Sequence, residues 1–160
     1  MPRSARILIR NACYHIIARG NQKQEVFFEA ADYKAYLRLL KKYKIKYRIK
    51  LYCYCLMNNH VHMLVEPEEP HCISAAMQGL SQSYSIWFNA KYNKVGHLWQ
   101  DRFKSMIIQK DEYFLTCMNY IEANPVRGNI LANPLDYPWS SHKERIFGIK
   151  NGLLDEAGSL

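Results

Sequence analysis

The stretch Leu56-Met57-Asn58-Asn59-His60-Val61-His62-Met63-Leu64-Val65 decides how this chain is read, because it sets two imidazoles at i and i+2 inside a β-forming run. Side chains alternate across a strand, so His60 and His62 share one face while Val61, Met63 and Val65 share the other. Imidazole is a common metal ligand and titrates near neutrality. The pair is therefore a candidate for two ligands of a metal site that still needs a third. The same spacing also suits two surface or hydrogen-bonded histidines, and the motif by itself leaves both readings open.

Working outward, Ile49 to Met57 reads as a strand, and Asn58-Asn59 supplies residues well able to take the left-handed conformations of a tight hairpin. His60 to Glu66 is then the returning strand. Upstream, Ala12 to Arg19 forms a first strand ended by Gly20-Asn21, a dipeptide that tolerates positive φ. From Asp32, a plausible N-cap, the residues Tyr33, Tyr36, Leu37, Leu40, Tyr43 and Tyr47 recur at helical spacing. Downstream, Pro67 and Pro70 break the strand. A long amphipathic helix follows, marked by Ile73, Ala76, Met77, Leu80, Tyr84, Trp87 and Phe88, and should end before Gly96. Met106-Ile107-Ile108 suits a fourth strand. Asp111 caps a further helix carrying Phe114, Leu115, Met118 and Ile121 inward, with Pro125 as its stop. A short helix fits Ser141 to Phe147.

This order of elements predicts an α+β fold: a ferredoxin-like split βαβ with an antiparallel sheet, plus an added C-terminal helix. The third strand of that topology is internal, which puts His60 and His62 mid-sheet, where a helix laid over their face would complete a site. One domain over residues 1–160 is expected, with a core at about 12–147 and a tail at 148–160.

Composition narrows the class. With 49% hydrophobic and 22% charged residues in 160, the chain is ordinary globular material rather than a disordered or fibrous one. It has no apolar run long enough to span a bilayer, and Ile7-Leu8-Ile9 between Arg6 and Arg10 is too short for a signal segment, so a cytoplasmic protein without a membrane partner is expected. Five cysteines without a Cys-x-x-Cys fit reduced thiols, Cys53 and Cys55 among them as small core residues. A net charge of +8 with 12 Tyr and 3 Trp points to a polyanion, nucleic acid first, since cations release phosphate counterions and aromatic faces stack on unpaired bases. Lysines 41, 42, 44 and 46 also fit a merely solvated basic face.

Among the tyrosines, Tyr120 stands out in a predicted helix with an oxygen ligand, Asn124, four residues on and hence on the same face. A tyrosine nucleophile, two histidines and an amide oxygen make a coherent set for cleaving a phosphodiester, in which a metal polarises the phosphate.

These residues resemble the single-tyrosine HUH transposases, in particular the REP-associated branch. Tyr54 to Val65 is similar to that family's metal-binding strand. The segments 98–105 (LWQDRFKS), 120–127 (YIEANPVR) and 137–141 (YPWSS) are similar to its other marker segments, so the resemblance runs from about Cys13 to Ser141. It implies His60, His62 and Asn124 as ligands of a divalent metal, Mg or Mn, and Tyr120 as the nucleophile. It also implies nicking of single-stranded DNA beside a hairpin, through a 5′-phosphotyrosine with a free 3′-OH. Two departures stand in the sequence: Asn58-Asn59 where many relatives have Pro-Asn, and Asn124 where insertion-sequence relatives often have glutamine.

Arg19, Asn21, Arg102, Lys104 and Arg127 are candidate DNA contacts. Asn21 also fits plain turn chemistry, and Arg127 also fits a cation at a helix C-terminus. Trp99 suits a packed anchor. His15, His71, His97 and His142 show no same-face partner in the sequence and are left outside the metal site. Two other functions fit less of the chain: a hairpin-binding module without catalysis has no need of Tyr120, His60 and His62, and a small zinc hydrolase leaves Tyr120 and the positive charge idle. A monomer and a homodimer are both compatible with the sequence.

Overall fold

The computed structural model describes Ala5 and residues 9–157. The amino-terminal run read as too short for a signal segment falls mostly outside them. Four strands, β1 (Cys13–Arg19), β2 (Ile49–Leu56), β3 (His60–Pro67) and β4 (Lys104–Ile108), form one sheet in the order β2-β3-β1-β4, with every neighbouring pair antiparallel. Helix α1 (Ala30–Lys46) links β1 to β2, and α2 (Cys72–Tyr92) links β3 to β4. This is the ferredoxin-like arrangement expected from the sequence. Then follow α3 (Glu112–Glu122), α4 (Asn124–Arg127) and α5 (His142–Phe147). Among the described residues, no helix is long and apolar enough to cross a membrane.

Strand alternation builds a core on each side of the sheet. Tyr14, Ile16 and Ala18 of β1 and Val61, Met63 and Val65 of β3 face α1 and α2, packed with Tyr36, Leu40, Ile73, Leu80 and Phe88. Each fully buried aliphatic there contributes roughly 1.5–3 kcal/mol. Residues of the other parity, Cys13, Cys53, Cys55 and Leu64, meet Phe114, Cys117, Met118 and Ile121 of α3. In α3, Leu115 is exposed and Cys117 takes the inward place expected for it, because the apolar stripe follows positions 114, 117, 118 and 121. A bulge between Leu51 and Cys53 lets the adjacent Tyr52 and Cys53 both serve the α3 side.

Three local expectations need correction. Asp32 is not the N-cap of α1: Glu29 is, and the Asp32 carboxylate at the third helical position accepts from the Phe28 and Glu29 amides at 2.8 and 3.1 Å. Asn58 and Asn59 do not take left-handed conformations. Their turn is held from outside, with the Asn58 carbonyl accepting from the Val26 amide at 2.7 Å and the Asn59 carbonyl from the Gly20 amide at 2.8 Å. Gly20 has φ −63° and is required for space instead, since a Cβ there would stand 2.2 Å from the Gln24 carbonyl oxygen.

The chain end is partly docked. The Asp155 carboxylate accepts from the β2 amide of Leu51 at 2.8 Å and from Lys44 Nζ at 2.6 Å, and Leu153 is buried. Lys44 is thereby a buried, paired residue and not part of a solvated face.

Candidate active site

β3 delivers His60 and His62 to the face that α3 covers. Across β1 they stand opposite Arg19 and Ile17 respectively. Their ring centroids are 4.9 Å apart at 78°. His60 Nδ1 lies 2.6 Å from Asn59 Oδ1, so the nitrogen donates to that oxygen and its Nε2 keeps a lone pair. Burial, with the Arg19 charge as a smaller cause, pushes His60 down to about 4. Burial, followed by the charges of His60, His15, Arg19 and Arg127, pushes His62 down to about 3. Both rings are therefore neutral at pH 7, the form that ligates metals.

His15, left outside the site on sequence grounds, lies on the same face. Its Nε2 is 3.0 Å from His62 Nδ1. The same-face signal was concealed because it depends on the β1–β3 register, which pairs His15 with Leu64 and sets it diagonally to His62.

Tyr120 projects from α3, 50% exposed. Its ring meets His15 edge-on at a centroid distance of 6.2 Å. The helix is started by the Asp111 carboxylate accepting from the Tyr113 amide. Its other end is fixed by Glu122, 1% exposed as a side chain, which accepts from Ser141 Oγ at 2.6 Å, Arg145 Nη2 at 2.7 Å and His142 Nδ1 at 3.0 Å. His142 thus has a structural partner in this clamp. Asn124 opens α4 rather than closing α3, and Pro125 starts that short turn instead of ending a helix. The Asn124 amide nitrogen donates to the Ile121 carbonyl at 3.0 Å.

The candidate DNA contacts divide by position. Arg19 faces the histidines, and Lys104 stands opposite Ile17 on the same side of the sheet. Arg127 lies with its guanidinium 3.8 Å from the Tyr120 ring centre. Asn21 and Arg102 sit further out: the Asn21 amide donates to the Leu98 carbonyl at 2.8 Å, and Arg102 lines an open groove of about 780 Å³ that runs between Arg19, the 96–103 segment and the polar side of α2 at Gln78, Ser81, Gln82 and Ser85. Trp99 packs against Tyr36 and Tyr84 as an anchor.

Among the described residues, no three His, Cys, Asp or Glu side chains are grouped to hold a metal ion. The donors that stand together are two neutral imidazoles, each with its Nδ1 already engaged, and the Asn124 amide oxygen would have to add the third. Such a set fits a hard divalent cation that retains waters and takes a phosphate oxygen, and it falls short of a closed structural zinc site.

A ferredoxin-like sheet with a His-x-His strand under a tyrosine-bearing helix defines the class, and comparison with known proteins names the family. Residues 9–124 match the model for IS200-like transposases, and the chain belongs to that family. No curated protein matches. Among solved structures, it is similar to a REP-associated tyrosine transposase bound to a REP hairpin, with a TM-score of 0.75 at 17% identity over 99% of this chain and 94% of that one. A bacterial tRNA(His) guanylyltransferase-like protein in complex with GTP shares the sheet more loosely, with a TM-score of 0.51 at 14% identity over 79% of this chain and 69% of that one.

Proposed function

We propose that this transposase nicks single-stranded DNA next to a hairpin and carries the 5′ end on Tyr120. The observation that carries the reading is the continuous contact from Tyr120 through His15 to His62, at 6.2 Å between the first two rings and 3.0 Å between the last two nitrogens, all within one chain. His60, His62 and Asn124 Oδ1 would hold a divalent cation, Mg or Mn, whose chemistry when bound is to polarise the scissile phosphate. Tyr120 Oη attacks phosphorus and loses its proton to solvent. The bond from phosphorus to the 3′ oxygen breaks, and that oxygen leaves as a hydroxyl after taking up a proton. The phosphodiester is thereby exchanged for a phosphotyrosine, and a later 3′-OH reverses the step without an external energy source.

The surrounding residues orient the strand. Arg127 holds the Tyr120 ring from its face, while Arg19 and Lys104 supply positive charge on the histidine side of the sheet, suited to flanking phosphates. The hairpin in the similar REP-associated structure supports folded single strands as the substrate class here. Labelled single-stranded oligonucleotides containing hairpins, incubated with and without magnesium, test the reading. A protein–DNA adduct that survives denaturant and maps to Tyr120 by mass spectrometry is expected. Hairpin binding with no adduct under any divalent metal would reduce the protein to a binding module.

A further inference from the structure

His15 is a buried histidine, 4% exposed, whose Nε2 points at Nδ1 of a candidate metal ligand. Its ring is 5.2 Å from that of His62 with a tilt of 32°. A hydrogen bond of 3.0 Å between two imidazole nitrogens contains one proton, and its placement has chemical consequences. If His15 Nε2 carries it, His62 Nδ1 is the acceptor and His62 Nε2 bears the other ring's proton, which prevents that nitrogen from ligating. If His62 Nδ1 carries it, His62 Nε2 presents a lone pair to the site.

The neighbouring histidine distinguishes these cases. His60 Nδ1 faces Asn59 Oδ1 at 2.6 Å, an atom that can only accept, so His60 offers Nε2. Two ligands that converge from one strand on one cation through Nε2 both need an acceptor behind Nδ1. Asn59 supplies it for His60, and the ring nitrogen of His15 stands in the equivalent place for His62. On its other side, His15 meets the edge of Tyr120, which fixes the separation between ligand and nucleophile.

We infer that His15 is a positioning residue: its Nε2 accepts a hydrogen bond from His62 Nδ1 and so holds His62 in the tautomer and rotamer that present Nε2 to a divalent cation. This rests on His60 and His62 being metal ligands. Such outer partners set metal affinity without touching the metal, and their loss typically costs roughly 10- to 100-fold.

Manganese titration of the full chain, read by the electron paramagnetic resonance of free Mn²⁺, tests this apart from any cleavage. His15→Leu should bind roughly 10- to 100-fold more weakly than wild type. His15→Gln places an amide oxygen at a similar reach and should recover affinity to within about threefold of wild type. Far-UV circular dichroism establishes that each variant is folded. Wild-type affinity in His15→Leu, or a His15→Gln as weak as His15→Leu, overturns the inference. A spin-echo count of ligating nitrogens on bound Mn²⁺ in the wild type needs no substitution. Two nitrogens support the inference, whereas three make His15 a ligand and overturn it, since nitrogens on adjacent positions of one such ion also stand roughly 3 Å apart. His62→Ala separates the two levels: if it binds manganese as wild type does, or if the wild type binds none, the metal reading itself fails.

Discussion

The Arg127 guanidinium lies over the face of Tyr120, 3.8 Å from the ring centre, so the candidate nucleophile is held by a cation seven residues further along the chain. Such a contact at a half-exposed site is worth about 0.5–1 kcal/mol. Tyr120→Phe keeps the ring and removes the oxygen. It should abolish the denaturant-resistant adduct while hairpin affinity and thermal midpoint stay within error of wild type. Arg127→Ala should keep the adduct but form it several-fold more slowly in single-turnover gel assays. An adduct formed by Tyr120→Phe at the wild-type rate removes that residue from the chemistry.

Tyr120 and His62 both meet His15 within one chain, so the proposed site is expected to work without a second subunit. Mixing Tyr120→Phe protein with His62→Ala protein should therefore give no cleavage beyond either alone. Recovery of a substantial fraction of wild-type activity in the mixture would show that the tyrosine works on a partner's histidines.

For Asn124 one hydrogen bond is seen and a ligand role is proposed, and one substitution tests the second. Its amide nitrogen donates to the Ile121 carbonyl across the α3–α4 junction, and its oxygen is the proposed ligand atom. Asn124→Ala is expected to slow cleavage about tenfold or more with magnesium and to recover much of the rate with manganese, which binds N/O sites more tightly. A defect of equal size in both metals would assign Asn124 to the helix end alone. His60→Ala should lose cleavage in both metals.

Glu122 ties α3 to α5 through the near-buried pair with Arg145. Removing one partner of such a pair strands the other charge, and Glu122→Ala should cost about 3–5 kcal/mol in urea unfolding. Adduct formation at saturating DNA should fall as well, because Tyr120 is two residues away on the same helix. Unchanged urea midpoints would show that the clamp contributes no stability.

Acid stability should report on Asp32. Burial raises its pKa, but hydrogen bonds from Lys91, Tyr92 and the Phe28 and Glu29 amides outweigh this and leave the folded value below that of a free carboxylate. The unfolded chain therefore takes up the proton first. The stabilisation is fully present above the ordinary carboxylate pKa and is lost as the pH falls through the lower folded value. Asp32→Asn should be less stable at pH 7 and lose less on acidification to pH 3, measured as urea midpoints. Parallel curves for the two proteins would exclude this carboxylate as a source of acid lability.

Much of this architecture is legible in the chain because it depends on local periodicity. Alternation through His60 to Val65 and the 3.6-residue stripe through Ile73 to Phe88 each fix an element and its buried side. What the sequence concealed depends on contacts distant in the chain. The Asn58-Asn59 turn is shaped by amides of residues 20, 26 and 27, so its side-chain preferences misreport its backbone. His15 joins the site through a diagonal across two strands 47 residues apart in sequence, and no pattern within β1 reveals it. Arg127 was readable as a phosphate contact or a helix-end charge, whereas its stacking on Tyr120 follows from the short α4 turn that carries it back.

The two borders of the sheet are unlike. Along β2 the chain's own later segments occupy the free backbone groups: the Leu56 amide donates to the Trp139 carbonyl, Cys55 bridges to Ser140, and the Leu51 carbonyl accepts from the Asp155 amide. At the opposite border β4 is five residues long, begins with a lysine and has no further strand beside it among the described residues. A short charged edge is a poor template for another protein strand, so the border resists edge-to-edge aggregation. Among the described residues no strand lies beyond Lys104, which leaves room for a long flexible polymer to pass alongside the sheet without displacing any of them.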